Sequence, residues 1–189
     1  MIAEEHIKIP EVRIAVVIGK NGETKKQIED ITQTSIEIDS QEGIVHITNK
    51  PEAENPLAVW KARDIIQAIG RGFSPERALR LIDEDEYLEI IDLEKIFGRR
   101  EKSIKRVKGR IIGEAGKTRR IIEELTETYL SVYGSTISLI GTLNTLKIAK
   151  KAVIMLIDGI SHGTVYQFLH KKRRELKKDS TSLWKIPPS

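Results

Sequence analysis

Two glycine pairs, Gly19/Gly22 and Gly113/Gly116, are each spaced Gly-x-x-Gly and followed two residues later by a threonine, Thr24 or Thr118. Glycine has no Cβ, so such a loop can take φ > 0 and let a sugar-phosphate chain approach its main chain closely. Where a helix opens at the second glycine, its unpaired amides and positive dipole end favour a phosphate at that point. Gly19-Lys20-Asn21-Gly22 and Gly113-Glu114-Ala115-Gly116 are therefore candidate backbone clamps. A tight helix-turn-helix corner would need the same glycines for packing alone, and the spacing by itself separates the two poorly. Repetition separates them better: Ile18–Thr34 returns 94 residues later as Ile112–Thr128, with 8 of 17 aligned positions identical.

The two clamps differ inside the loop, where Lys20 places a cation and Glu114 a carboxylate. At Glu114 phosphate contact would fall to main-chain amides. Their flanks differ too. Arg99, Arg100, Lys102, Lys105, Arg106, Lys108 and Arg110 precede the second loop within twelve residues, offset only by Glu101, and Lys117, Arg119 and Arg120 follow it. Lys105 and Lys108 share a helical face that can continue a phosphate track, joined by Arg99 or Lys102. An ordinary solvated helix face would look similar. Beside the first loop, Glu23, Glu29 and Asp30 dilute Lys25 and Lys26.

The elements that must position these loops recur in the same order. His6–Ile9 alternates as a strand, Val12–Ile18 is a short apolar helix, and a second helix opens at Gly22. Residues 35–39 and 44–48 alternate with period two. Asn55-Pro56 reads as a cap and first helical residue, and Ala58, Ala62, Ile65 and Ile69 then recur at helical spacing. In the second copy Tyr87–Asp92 is the opening strand and a basic helix leads to Gly113. A helix follows over about 117–126, then strands at 129–133 and 136–140 and a helix bearing Leu146, Ala149, Val153, Leu156 and Ile160 on one side. The offset falls from 94 to 91 by the last helix, which predicts a shorter loop between the second and third strands of the second copy. Extra helices are expected at Pro75–Ile82 and Val165–Lys178. The fold class is α+β: two tandem β-α-α-β-β-α units with boundaries at 1–82 and 83–178, then a flexible tail at 179–189.

With 189 residues, the chain has room for two such domains. It has no cysteine, hence no disulfide, thiolate metal site or thiol nucleophile. His6, His46, His162 and His170 fall on separate elements, so no metal site is expected. No paired-carboxylate or Ser-His-Asp pattern suggests an enzyme, and no cofactor is implied. Met1 leads into a charged segment with no visible signal peptide, and no stretch reaches the roughly 20 apolar residues of a membrane span. A cytoplasmic protein is expected. Two methionines and 32% charged residues suit a thermophile. The net charge of +4 hides an asymmetry: residues 1–94 carry 11 Lys/Arg against 20 Asp/Glu, and residues 95–189 carry 21 against 8. Such blocks suit different partners for the two halves, or attraction between the halves. The acidic run around Asp83-Glu84-Asp85-Glu86 reads as a solvated edge or a docking strip for a basic partner.

The order β-α-α-β-β-α with Gly-x-x-Gly between the first two helices resembles the KH domain of the eukaryotic type, type I. Val107-Lys108-Gly109-Arg110-Ile111-Ile112-Gly113-Glu114-Ala115-Gly116-Lys117-Thr118-Arg119-Arg120 is similar to the signature of small-subunit ribosome assembly factors. The match is to the archaeal form of the Dim-two (partner of Nob-one) family, and the Krr-one family shares the Lys-Gly-Arg-Ile stretch. The resemblance covers nearly the whole chain. It implies non-catalytic binding of single-stranded RNA from the 3′ region of small-subunit ribosomal RNA, with each loop clamping about four nucleotides. The implied RNA-binding residues are Gly19, Lys20, Asn21 and Gly22, then Lys105, Lys108, Arg110, Ile111, Gly113, Glu114, Ala115, Gly116, Lys117, Arg119 and Arg120. Ile111, Leu130 and Val132 would form the groove floor. Implied protein partners are a processing endonuclease or a translation initiation factor, with the acidic first half as their docking surface. Two alternatives stay open: an RNA-targeting subunit of a nuclease complex, which usually adds an S1-type barrel, and a protein-interaction scaffold.

Overall fold

Ile7, Ile36, Val45 and Ile47 alternate with polar neighbours, and that period of two builds the first sheet. The computed structural model describes residues 4–51, 53, 55 and 57–182. Its first unit runs β1 (Glu4–Lys8), α1 (Glu11–Ile18), a 3₁₀ turn (Lys20–Gly22), α2 (Glu23–Thr32), β2 (Thr34–Asp39), β3 (Ile44–Asn49) and α3 (Ala58–Gly70). After these comes α4 (Pro75–Ala78), prolonged by a 3₁₀ turn at Leu79–Ile82. The second unit runs β4 (Glu86–Asp92), α5 (Leu93–Phe97), α6 (Glu101–Ile112), a 3₁₀ turn (Glu114–Gly116), α7 (Lys117–Thr126), β5 (Tyr129–Tyr133), β6 (Thr136–Thr142), α8 (Leu143–Ile157) and α9 (His162–Ser182). Each unit has a three-stranded antiparallel sheet, ordered β1-β3-β2 and β4-β6-β5, with its helices on one face.

Most of the predicted elements are present, with four differences. Asp92 Oδ1 accepts the Glu94 amide at 2.9 Å and starts the short, unexpected α5, which Gly98 (φ 61°) ends; Arg99 and Arg100 then lie before α6, so Arg99 does not share its face with Lys105 and Lys108. Asn55 Oδ1 accepts the Leu57 amide at 2.8 Å ahead of α3, while Pro56 lies outside the described residues. α9 runs on to Ser182, and the remainder of the expected tail lies outside the described residues. The shorter hairpin accounts for two residues of the offset, not three. Ile36 pairs with Ile47 and its counterpart Leu130 with Leu139; the third residue is lost between the last strand and the last helix of the unit.

The same corner turns each second helix into its strand. Gln33 (φ 53°) and Glu127 (φ 56°) take left-handed conformations at the helix ends. Thr32 Oγ1 donates to Ile28 O at 2.6 Å and stands 2.7 Å from Thr34 Oγ1; Thr126 donates to Ile122 O at 2.7 Å and stands 2.8 Å from Thr128 Oγ1. Glu29 Oε1 accepts the Ile36 amide at 2.8 Å, and Glu123 Oε1 the Leu130 amide at 2.9 Å. These buried polar groups are thereby satisfied, as burial demands.

The first unit lies across the outer face of the second sheet. Ile140 of β6 belongs to the first hydrophobic core, with Leu88 and Tyr129 packed against it. Ser131 Oγ donates to Arg71 O at 2.8 Å. Arg77 reaches Glu123 at 3.0 Å and Arg80 reaches the buried Glu86 at 2.6 Å, while both guanidinium groups stand over the Tyr129 ring. Both of these cross-unit ion pairs put first-unit arginines on second-unit glutamates. They leave the acidic surface of the first unit and the basic surface of the second unspent.

Candidate nucleic-acid interface

Both Gly-x-x-Gly loops have the left-handed geometry that a backbone clamp needs. Gly19, Asn21 and Gly22 lie at φ 76°, 53° and 79°; Gly113, Ala115 and Gly116 lie at 72°, 48° and 75°. A Cβ at Gly19 or Gly113 would collide with the side chain of Thr24 or Thr118, whereas one at Gly22 or Gly116 would meet nothing within 4 Å. The first glycine of each pair is thus required by close packing and the second by backbone conformation. The loop tips Lys20, Asn21, Glu114 and Ala115 are exposed, and α2 and α7 begin directly behind them.

The predicted cations divide into two groups. Lys105, Arg106 and Lys117 are exposed beside the second loop. Arg120 is exposed too, and its NH2 donates back to Ala115 O at 3.1 Å, bracing the loop from behind. Lys108 and Arg110 have structural partners instead. Lys108 Nζ donates to Gly134 O at 2.7 Å and ties α6 to the β5–β6 turn. Arg110 donates to Leu156 O at 3.1 Å in the last turn of α8, where a cation also suits the helix dipole, and to Ile160 O at 2.6 Å. Ile160, expected on the apolar face of that helix, lies beyond its end at 36% exposure. His162 Nε2 lies 2.9 Å from Arg110 O and holds the same corner.

The expected groove floor needs a correction. Ile111 is 0% exposed and belongs to the second core, so it cannot touch a base; Leu130, 1% exposed in the same core, still lines the groove but offers a base almost no surface. Ile104, Val107 and Ile111 form the inward stripe of α6, and the helical phase turns Ile112 outward, where it is 36% exposed. The groove between α6–α7 and β5 is floored by Ile112, Arg119 and the half-buried Val132. Ser131, Tyr133 and the first-unit residues Ser74 and Arg77, none of them singled out from sequence, also line it. The first unit repeats the pattern, with Val17 buried and Ile18 half-buried before its loop. On the other side of the second loop, Thr118 Oγ1 and Tyr166 Oη, 2.8 Å apart, line a concavity of about 520 Å³ with Arg106, Lys117 and Glu114.

Strand pairing overturns the expectation that the histidines are scattered. His6 and His46 are cross-strand partners with ring centroids 4.3 Å apart, and their ligand atoms and that of Glu4 lie within 4.8 Å of one another. It is the one such group among the described residues, on the sheet face opposite the helices. Beside the first groove, backbone amides of Glu42 and Gln41 hold the Asp39 carboxyl below its ordinary range and fix the β2–β3 turn. No helix among the described residues is long and apolar enough to cross a membrane.

Residues 87–174 match the eukaryotic type KH-domain (KH-domain type I) of the Pno1 second-domain kind, and residues 4–68 match the KH domain. A KH domain-containing protein of Methanocaldococcus jannaschii is 48% identical over 181 residues, covering 96% of this chain and 79% of that protein. The pre-rRNA-processing protein pno1 of Schizosaccharomyces pombe is 30% identical over 134 residues, 70% of this chain and 56% of that longer protein. Among solved structures, a complex of a/eIF2alpha, aDim2p and rRNA from Pyrococcus horikoshii contains a chain 54% identical, with a TM-score of 0.87 over 92% of this chain and 96% of that one. Duplicated clamp loops, matching topology and these similarities agree: the chain belongs to the tandem KH-domain family of archaeal Dim2p and eukaryotic Pno1.

Proposed function

We propose that this protein is a non-catalytic ribosome assembly factor that holds single-stranded small-subunit ribosomal RNA near its 3′ end, with the second unit as its principal site. One observation carries the reading. A preformed left-handed loop sits at the head of α7 beside a groove floored by Ile112, Val132 and Arg119, and Lys105, Arg106, Lys117 and Arg120 stand exposed around it. Amides and cations then hold the backbone while the floor and the β5 edge read bases. The relatives support the target: one is a pre-rRNA-processing protein, and another was solved with rRNA and a/eIF2alpha.

The unspent acidic surface of the first unit is the face we assign to a protein partner, a processing endonuclease or a translation initiation factor. We place the unit boundary at 82/83 and the protein in the cytoplasm, acting without metal or cofactor. A nuclease-complex subunit carrying an S1-type barrel is less well supported, since the described residues form two open three-stranded sheets. The test is a competition titration of the full chain, at physiological salt, with an oligonucleotide from the 3′ region of small-subunit ribosomal RNA against a scrambled one. We expect a preference of about tenfold or more, ~1.4 kcal/mol. Indistinguishable curves would leave a nonspecific binder and sink the ribosomal assignment.

A further inference from the structure

The groove of the second unit is not walled by that unit alone. Its outer lip is the segment after α3 of the first unit, and together they enclose a cleft of about 370 Å³. Arg77 NH1 lies 3.0 Å from Glu123 Oε1, the oxygen that also accepts the Leu130 amide at 2.9 Å. That bond directs the Leu130 N–H away from β6, so two residues on the Val132 N–H and C=O face outward along the same unpaired edge. The other oxygen of the same carboxylate, Glu123 Oε2, lies 3.8 Å from Arg119 Nε, which is buried without a hydrogen-bond partner. Among the described residues the first unit has no counterpart to this cross-unit contact: Glu29, the equivalent of Glu123, pairs with Lys25 of its own helix at 3.7 Å.

We propose that the first unit supplies one wall of the base-reading cleft of the second, with Ser74 and Arg77 facing the bound strand. This rests on the second groove being the RNA site. A base lying on Ile112 and Val132 then has two guanidinium groups, Arg119 and Arg77, along the cleft wall, and their unspent N–H groups favour a base edge rich in hydrogen-bond acceptors. Docking of the two units becomes a condition for reading RNA, not only for stability.

Ser74 is exposed and caps α4, its Oγ accepting the Arg77 amide at 3.4 Å. Asp and Asn both serve at such a cap, so Ser74→Asp and Ser74→Asn differ at the cleft chiefly by one charge. Full-chain affinity for the 3′-region oligonucleotide should be about fivefold or more weaker for Ser74→Asp than for Ser74→Asn. Ser35→Asp, which adds the same charge on the open face of the first sheet, should bind like the unaltered chain. Equal affinities for the two Ser74 variants, or an equal loss from Ser35→Asp, would overturn the proposal. Should Ser74→Asp fail to fold, ultraviolet crosslinking of the unaltered chain to a 4-thiouridine oligonucleotide decides: adducts on residues 72–77 support the shared wall, and adducts confined to the second unit refute it. Ala115→Asp with Gly116→Asp separates the two claims. If that variant loses RNA while the Ser74 pair bind alike, the groove assignment stands and only the shared wall falls.

Discussion

Glu114 and Lys20 occupy equivalent places in the two loops and have opposite charge, so clamp strength must come from what surrounds them. Ala115 and Gly116 are replaceable without a steric clash, since the tip is exposed and nothing lies within 4 Å of a Cβ at Gly116. The remaining cost is left-handed backbone, roughly 1–2 kcal/mol for a residue with a Cβ. Ala115→Asp with Gly116→Asp should therefore leave a folded chain that binds RNA at least about tenfold more weakly, through repulsion of phosphate. Lys20→Asp with Asn21→Asp should cost less. Fluorescence anisotropy on the full chain ranks the two, and a larger loss from the first loop would reverse the assignment of the main site. Glu123 carries more than Glu29, because it accepts a strand amide and also pairs with Arg77 across the units. Glu123→Ala should lower unfolding free energy in urea by about 2–3 kcal/mol and Glu29→Ala by about 1–2 kcal/mol; equal costs would mean the cross-unit pair adds nothing.

At the scale of elements, the repeat in the sequence carries two messages that look alike in an alignment. Gly19, Gly22 and their partners shape the clamp, whereas Glu29, Thr32 and Thr34 with Glu123, Thr126 and Thr128 build the left-handed corner from helix to edge strand. Thr126→Val should thus cost about 1–2 kcal/mol of stability, by orphaning the Thr128 hydroxyl, and leave RNA affinity of the folded protein unchanged. A melting curve paired with a binding isotherm checks both halves. Strands, helices and loops were legible because period two, helical spacing and glycine turns are local signals. Ile112 could have been found from the same helical phase that buries Ile104, Val107 and Ile111. Other features depend on partners distant in sequence: Arg110 on the end of α8, His6 beside His46, and the Arg77–Glu123 link. Linear spacing does not encode those meetings. α5 was hidden by its length, since the five residues Leu93–Phe97 are too few for helical spacing to show, and Arg99 and Arg100 read as part of the basic helix although they lie before α6.

At the scale of the whole molecule, the units are one assembly in which each half keeps its own electrostatic character. The second sheet has no free outer face, because Ile140, Leu88 and Tyr129 are covered by the first unit, so separating the halves would expose an apolar surface and compromise the second. Binding should be measured on the intact chain for that reason. The charge split of 11 against 20 and 21 against 8 is not consumed at the interface, where Arg77 and Arg80 meet Glu123 and Glu86. With Lys108 and Arg110 tied to carbonyls away from the loop, the cations that reach the second groove and its loop are Lys105, Arg106, Lys117, Arg119 and Arg120. Of these, Arg120 spends only NH2 on the Ala115 carbonyl and Arg119 only Nε on Glu123. If these neutralise about five phosphates of a single strand, log affinity should fall with log salt at a slope near −3.5. Each removed cation should then flatten the slope by about 0.7, so Lys105→Ala with Lys117→Ala should bring it near −2. Lys108→Ala should weaken the fold more than it changes the slope. A titration series from low to physiological salt measures all three, and a flat response in the unaltered chain would refute the phosphate track.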